Sequence, residues 1–189
     1  MTNKTIIEEW FNIETPSPPE IKEVIINPDS TALLILDIQL NNCNEESRPR
    51  CVDSIPKIKD LLDLARLKKM FIVFALTSSA TKENIRSEVK PLTTEPIVQS
   101  GVDKFYGTNL EELLEKKGIK QVIIVGTSAH GAVLNTATGA AARQLKIIIP
   151  IDCLSASHPY AEQYTIWHLA NSPGTRRNVI LTKAELVKI

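Results

Sequence analysis

Residues 119–152, IKQVIIVGTSAHGAVLNTATGAAARQLKIIIPID, constrain the fold more than any other part of this chain. Residues 121–125 are a β-branched apolar run, too short for a helix and closed by Gly126, so they read as a fully buried strand. Residues 131–143 carry Gly131, Ala132, Ala137, Gly139, Ala140, Ala141 and Ala142, which predicts a helix whose backbone presses close against a sheet. Residues 145–151 form a second, mostly β-branched apolar run. Strand, tight turn, helix and strand in so short a span make one βαβ unit, which requires parallel strands and a right-handed crossover. The turn Gly126-Thr127-Ser128-Ala129-His130-Gly131 then lies at the carboxyl end of a parallel strand. Open α/β sheets bind ligands there, and the next helix offers unpaired N–H groups to anything negative. The plain alternative is a connection kept small only so that helix and sheet pack tightly.

The remaining elements fit the same scheme. Residues 3–12 place Ile6, Ile7, Trp10 and Phe11 at helical spacing, and Pro16, Pro18 and Pro19 force an extended arm after them. Residues 31–36, TALLIL, read as the first central strand, ending in Asp37-Ile38-Gln39. Ser54 reads as the cap of a helix with Pro56 in its first turn and Ile55, Ile58, Leu61, Leu62 and Ala65 on its buried face. Strands follow at 71–76 and 96–99, with a short helix between them at 81–89. Thr108 with Glu111 makes an S/T-x-x-E cap, and the helix it opens ends at Gly118. Residues 160–171 form the last long helix, with Tyr160, Tyr164, Trp167 and His168 along one face, and residues 179–181 the last strand. This alternation predicts an α/β fold: one three-layer α/β/α domain with a central parallel sheet of about six strands. The division is an N-terminal helix and proline-rich arm over 1–28 and a catalytic-type domain over 29–189.

Composition narrows the function classes. Lys plus Arg number 22 and Asp plus Glu number 22, leaving no net charge and no electrostatic footprint for nucleic acid or an anionic membrane. Near-zero charge also lowers the barrier to self-association. The apolar runs are far shorter than the roughly twenty residues that span a bilayer. The segment MTNKTIIEEWF carries Glu8 and Glu9 inside its apolar part and no small-residue cleavage site, unlike a signal peptide. Cys43, Cys51 and Cys153 show neither a framework pattern nor CxxC spacing, so the expectation is a cytoplasmic protein with free thiols.

Three strand ends carry the candidate chemistry: Asp37-x-Gln39, Gln99-Ser100-Gly101, and the turn 127–132. The segments TALLILDIQ, DKFYGTNLEELLEKKGIKQVIIVG and GTSAHGAVLNTATGAAARQLKIIIPID resemble, in order and spacing, the isochorismatase-like hydrolase superfamily. That superfamily also holds nicotinamidases and N-carbamoylsarcosine amidases. The resemblance implies a Rossmann-like topology with strand order 3-2-1-4-5-6 and a homodimer or homotetramer. The N-terminal helix, lying beyond a stiff arm, is then predicted to dock across a subunit boundary.

The family's amidases use an Asp–Lys–Cys triad, and the resemblance places its Asp on Asp37. The lysine position, nine residues before Thr108, is Gln99, and the nucleophile position, six residues after Gly126, is Ala132. A methyl group cannot form an acyl-enzyme, so triad hydrolysis through residue 132 is excluded. Lys104 and Lys90 lie near in sequence, although neither occupies the motif position. Isochorismatase itself also lacks the cysteine and carries the Ala-His pair found here as Ala129-His130. Its reaction, hydrolysis of a vinyl ether, needs a carboxylic acid more than a nucleophile, but it retains the lysine. Asp37 at the end of a buried strand is predicted to titrate above about 3.9 unless Lys104 or an arginine of residues 48–50 stands beside it.

The family's oxyanion device, a non-proline cis peptide with two backbone N–H groups, falls on Thr127–Ser128 and Ala132. Gln39, Thr127, Ser128, Ala129 and His130 are accordingly the candidate substrate-binding or oxyanion residues, with Asn42 and Cys43 as candidate pocket residues. Cys43 reads as a displaced nucleophile or an incidental thiol, and Arg48 and Arg50 as holders of a carboxylate ligand or solvated loop residues. Residues 77–90 contain no histidine for the nicotinamidase metal site, so neither metal nor other cofactor is expected. Two functions compete: a hydrolase of a small cytosolic metabolite acting through Asp37, and a catalytically silent binding or assembly protein that keeps the fold and pocket. Neither nucleic acid nor membrane is an expected partner.

Overall fold

The computed structural model describes residues 4–189. Its centre is a parallel sheet whose strands are β2 (Thr31–Leu36), β3 (Phe71–Thr77), β4 (Ile97–Ser100), β5 (Gln121–Thr127), β6 (Lys146–Pro150) and β8 (Val179–Thr182). The spatial order is β4-β3-β2-β5-β6-β8, the 3-2-1-4-5-6 order that the sequence implies. A two-residue strand, β7 (Leu154–Ser155), adds parallel pairing beside the end of β5. A second small sheet, absent from the sequence reading, pairs β1 (Val24–Ile25) with β9 (Val187–Lys188) and ties the chain's two ends together.

The strands are buried on both faces, and side-chain alternation sorts them into two cores. On β2, Leu33 and Ile35 join the core under helix α1 (Pro49–Leu67). Ala32, Leu34 and Leu36 join the opposite core, under α2 (Leu110–Lys116), α3 (Leu134–Ala142) and α4 (Pro159–Asn171). Each fully buried Leu or Ile in these cores contributes about 1.5–3 kcal/mol.

Several boundaries depart from expectation. Helix α1 begins at Pro49, because proline at the first helical position gives up only an N–H that has no helical partner. Ser54, expected as the cap, is buried inside the helix, and its hydroxyl donates to the Cys51 carbonyl (2.7 Å). Helix α2 is capped by Asn109 rather than Thr108, whose hydroxyl accepts from the Leu110 amide (3.2 Å) instead. Residues 81–89 form two 3-10 turns, Lys82–Asn84 and Ser87–Val89, in place of a helix.

Of the predicted N-terminal helix, residue 3 lies outside the described residues, and the remainder is turns ending in a 3-10 turn, Trp10–Asn12. Its apolar side chains stay exposed; Phe11 is 97% accessible, and Trp10 lies with its ring centroid 6.4 Å from that of Tyr160 on α4. A cavity of about 380 Å³ runs between the proline arm, α4 and β8, lined by Pro16, Pro19, Trp167 and Arg176 among others. No described helix is long and apolar enough to cross a membrane.

Candidate active site

Strands β2 and β5 are neighbours, with Leu36 paired to Gly126, so the residues that follow both of them leave the sheet side by side. Gly126 is obligatory here. It has φ of 126°, and a Cβ would overlap the Leu36 carbonyl oxygen. Asp37 adopts a left-handed conformation (φ 54°), which ends β2, while its amide still donates to the Ala75 carbonyl of β3 (2.9 Å). Its side chain points into the protein, and the residue is only 4% exposed.

The partner of Asp37 comes from the loop between β4 and α2. The Ser100 hydroxyl donates to the carbonyls of Asp103 (3.0 Å) and Tyr106 (2.8 Å), and the Thr108 hydroxyl donates to the Lys104 carbonyl (2.6 Å). The Lys104 amide donates to Thr136 Oγ1 on α3 (3.2 Å). These bonds turn Lys104 inward, wholly buried, with Nζ 2.8 Å from Asp37 Oδ1. The ammonium has three protons, and three carbonyls lie in line for them: Leu76 (3.1 Å), Ser100 (3.3 Å) and Gly101 (2.8 Å). Asp37 Oδ1 therefore receives the charge of Lys104 without a well-aligned hydrogen bond, and it has no other partner.

Two cations thus stand near Asp37, Lys104 and, more weakly, Arg48. Burial nevertheless outweighs both and raises the carboxyl from 3.8 to about 6. The sequence expectation tied a raised value to the lack of a neighbouring cation; the cations are present, and burial raises the carboxyl in spite of them.

Gln99 does not take the lysine's place. Alternation along the edge strand β4 turns Val98 and Ser100 inward and Gln99 outward. The Gln99 amide caps the carbonyls of Thr77 (3.1 Å), Ser78 (3.1 Å) and Ala80 (2.6 Å), and makes no hydrogen bond to Asp37. The ammonium of Lys104 arrives from five residues further along. Only its burial between Ser100 and Phe105 sets it apart from the surface lysines around it, and that is invisible in sequence spacing.

The loop after Asp37 brings a second correction. Cys43 and Cys51 form a disulfide, so Cys43 is neither a free thiol nor a displaced nucleophile. They meet because the loop doubles back into the first turn of α1, where Cys51 is the third residue. Cys153 is free but buried, and burial pushes its thiol well above the ordinary range. The Asn42 amide donates to the Asp37 carbonyl (3.2 Å), and Arg48 Nη1 donates to both the carbonyl (3.2 Å) and the side-chain oxygen of Asn42. Arg86 Nη1 donates to the Cys43 carbonyl (2.9 Å) and holds this loop from the other side. Gln39 is fully engaged in structure: its amide donates to Thr77 Oγ1 (3.1 Å), and its oxygen accepts from the Thr77 amide (2.9 Å).

On the β5 side, the Thr127–Ser128 peptide is cis. The Ser128 carbonyl accepts from the amides of Gly131 (3.0 Å) and Val133 (3.2 Å), winding residues Ala129–Val133 into a π-helical turn before α3. Ala129 and Ala132 are buried within it, Ser128 is half-buried, and the exposed His130 side chain makes no hydrogen bond among the described residues. Thr127 donates its hydroxyl to the Ser155 carbonyl (3.1 Å), tying the turn to β7. A carboxyl and an ammonium are thus in buried contact at the carboxyl ends of the central strands, and residue 132 carries only a methyl.

Comparison with known proteins supports the same grouping. The Isochorismatase domain family matches residues 31–184. The chain is 30% identical over 145 residues to the secreted isochorismatase effector Isc1 of Verticillium dahliae, covering 67% of this chain and 76% of that one. Among solved structures, an isochorismatase family protein from Desulfovibrio vulgaris superposes with a TM-score of 0.75 at 18% identity, covering 82% of this chain and 95% of the other. The nicotinamidase SaPncA from Staphylococcus aureus gives 0.70 at 21% identity, covering 82% and 99%.

Proposed function

Because the chain belongs to the isochorismatase domain family, we propose that it hydrolyses a small vinyl ether of the isochorismate type, with Asp37 as proton donor. The observation that carries this reading is Lys104 Nζ at 2.8 Å from Asp37, with Ala132 at the nucleophile position. The objection from sequence was the lost lysine, and an ammonium supplied from residue 104 removes it. A carboxyl raised to about 6 holds its proton into mildly acidic solution, which suits an acid better than a base that must activate a thiol.

Asp37 gives its proton to the terminal CH₂ carbon of the vinyl ether, leaving an oxocarbenium ion and a carboxylate that the Lys104 ammonium stabilises. Water adds to the oxocarbenium carbon, and the proton it sheds returns to Asp37. The resulting hemiketal collapses, its C–O bond to the ring breaks, and an enolpyruvyl ether yields pyruvate and an alcohol. The N–H groups of Ser128 and Ala132 hold a substrate oxygen, with His130 at the mouth.

The Cys43–Cys51 bridge and a secreted relative both support work in an oxidising compartment. The cytoplasmic expectation rested on three free thiols and loses that premise. Self-assembly as a dimer or tetramer stays part of the proposal; it is checked by light scattering before and after removal of residues 1–20.

The direct test follows pyruvate release from isochorismate by coupled reduction to lactate. Turnover that rises as pH falls towards 6 supports the reading. No pyruvate between pH 5 and 8 leaves the second reading, a silent binding protein, which the 4% exposure of Asp37 favours.

A further inference from the structure

We propose that Arg48 is the residue that selects a carboxylate-bearing substrate for this site, and that the Cys43–Cys51 bridge holds it in place. The inference rests on placing the site at Asp37, as above, but not on the chemistry assigned there.

Arg48 lies inside the loop that the disulfide closes, at the cap position of α1, and is half-buried. It is one side chain removed from Asp37: its Nη1 donates to Asn42, and Asn42 donates to the Asp37 carbonyl. Both of its hydrogen bonds leave from Nη1. Among the described residues, Nε and Nη2 have no partner, and that edge of a guanidinium grips a carboxylate through two parallel bonds.

Other arginines of the chain show the contrast. Arg50 puts its Nε–Nη2 edge on Glu162, Arg66 puts it on Glu95, and Arg86 puts it on Glu88. Arg48 is drawn partly out of water, at a cost in hydration, and yet meets no carboxylate through that edge. A substrate carboxylate completes it, and the same anion would lie beside the proton donor.

The bridge supplies the rigidity. Between residues 44 and 48 the loop is held by short-range bonds such as the Arg48 amide to the Asn44 carbonyl (2.9 Å), while Arg86 secures only its Cys43 end. Cross-linking residue 43 to residue 51 removes most of the loop's freedom to carry the guanidinium away.

The experiment compares benzoate with benzamide, which share a shape and differ in charge. Binding is measured by calorimetry on the full chain as wild type, Arg48→Ala, Arg48→Gln and Cys43→Ser/Cys51→Ser. Wild type should bind benzoate more tightly than benzamide. Both Arg48 variants should weaken benzoate about tenfold or more and leave benzamide within about twofold, since a charge-assisted pair is the only contact removed. Arg48→Gln keeps a donor for Asn42, so it guards against simple collapse of the loop. The double serine variant should lose part of the benzoate preference. With isochorismate, Arg48→Gln should raise KM more than it lowers kcat.

Equal weakening of both probes would make Arg48 a structural strut and overturn the proposal. So would a wild type with no preference for benzoate, including one that binds neither probe. If wild type prefers benzoate yet releases no pyruvate, the hydrolase reading fails and the role of Arg48 stands.

Discussion

Among the ion pairs that connect distant parts of this chain, two are built in opposite ways. Arg50 meets Glu162 side-on, Nε to Oε1 at 2.9 Å and Nη2 to Oε2 at 2.5 Å, and Oε1 also accepts from the Ala156 amide (2.9 Å). Every oxygen of that glutamate is satisfied, and the guanidinium lies half in water. Lys104 and Asp37 are both buried, and the lysine directs its protons to three carbonyls, leaving Oδ1 with charge but no aligned donor. The first arrangement is a clasp between α1 and α4. In the second, burial raises the carboxyl to about 6 despite the ammonium beside it, which is the state the proposed proton donor needs.

The largest effect expected from breaking this contrast is on rate. Asp37→Asn should lower pyruvate release by about 10²–10⁴-fold, the usual worth of a general acid. In wild type the rate should fall as pH climbs through about 6, as the donor loses its proton. Because the folded value lies above the unfolded one of 3.8, the stability that protonated Asp37 contributes is complete below about 3.8 and is lost as pH rises through about 6. The loss is on the order of 3 kcal/mol and is visible in urea melts at pH 4 and 8.

Lys104→Met comes next. It leaves a buried carboxylate alone and should cost about 3–5 kcal/mol at pH 8, shrinking as pH falls towards 6, because without the ammonium Asp37 takes up its proton at a higher pH than in wild type. A cost independent of pH would mean that lost packing, not charge, is responsible. Opening the disulfide by Cys43→Ser/Cys51→Ser should cost about 2–3 kcal/mol in the same melts, since the closed loop is short. Native protein treated with a thiol-reactive dye should show no accessible thiol, unfolding alone should expose one, Cys153, and reduction should add the two of the bridge. The smallest change belongs to the clasp. Arg50→Ala should cost about 1 kcal/mol or less, because half of that guanidinium is already solvated, and should leave the pH–rate profile where it was.

Much of the architecture was legible because it depends on patterns that sequence carries directly. The main strands and the small-residue turn follow from apolar runs and alternation, and the strand order from the family resemblance. Asp37 was legible for a related reason: a carboxylate ending an apolar run has few structural excuses.

What was hidden depends on where a loop folds. Lys104 sits in a loop with no apolar period to orient it, and only the bonds of Ser100, Thr108 and Thr136 reveal that it points inward. Gln99, at the motif position, is turned outward by the phase of an edge strand. The Cys43–Cys51 bridge depends on α1 beginning at Pro49 rather than Ser54, which places Cys51 in the first turn beneath Cys43. Pro56 drew the helix start too far along; it sits inside α1 instead.

The methyl of Ala132 has a pharmacological consequence. Electrophiles that disable cysteine-dependent hydrolases, such as iodoacetamide or vinyl sulfones, find no warhead target in this site. The chain's sulfurs are shut away as well, two in a buried bridge and the third, Cys153, in the core under α1. Selective inhibition of this protein will have to come from reversible, charge-matched ligands. Conversely, on the proposed chemistry pyruvate release should persist in peroxide-rich surroundings, because no thiol takes part in it.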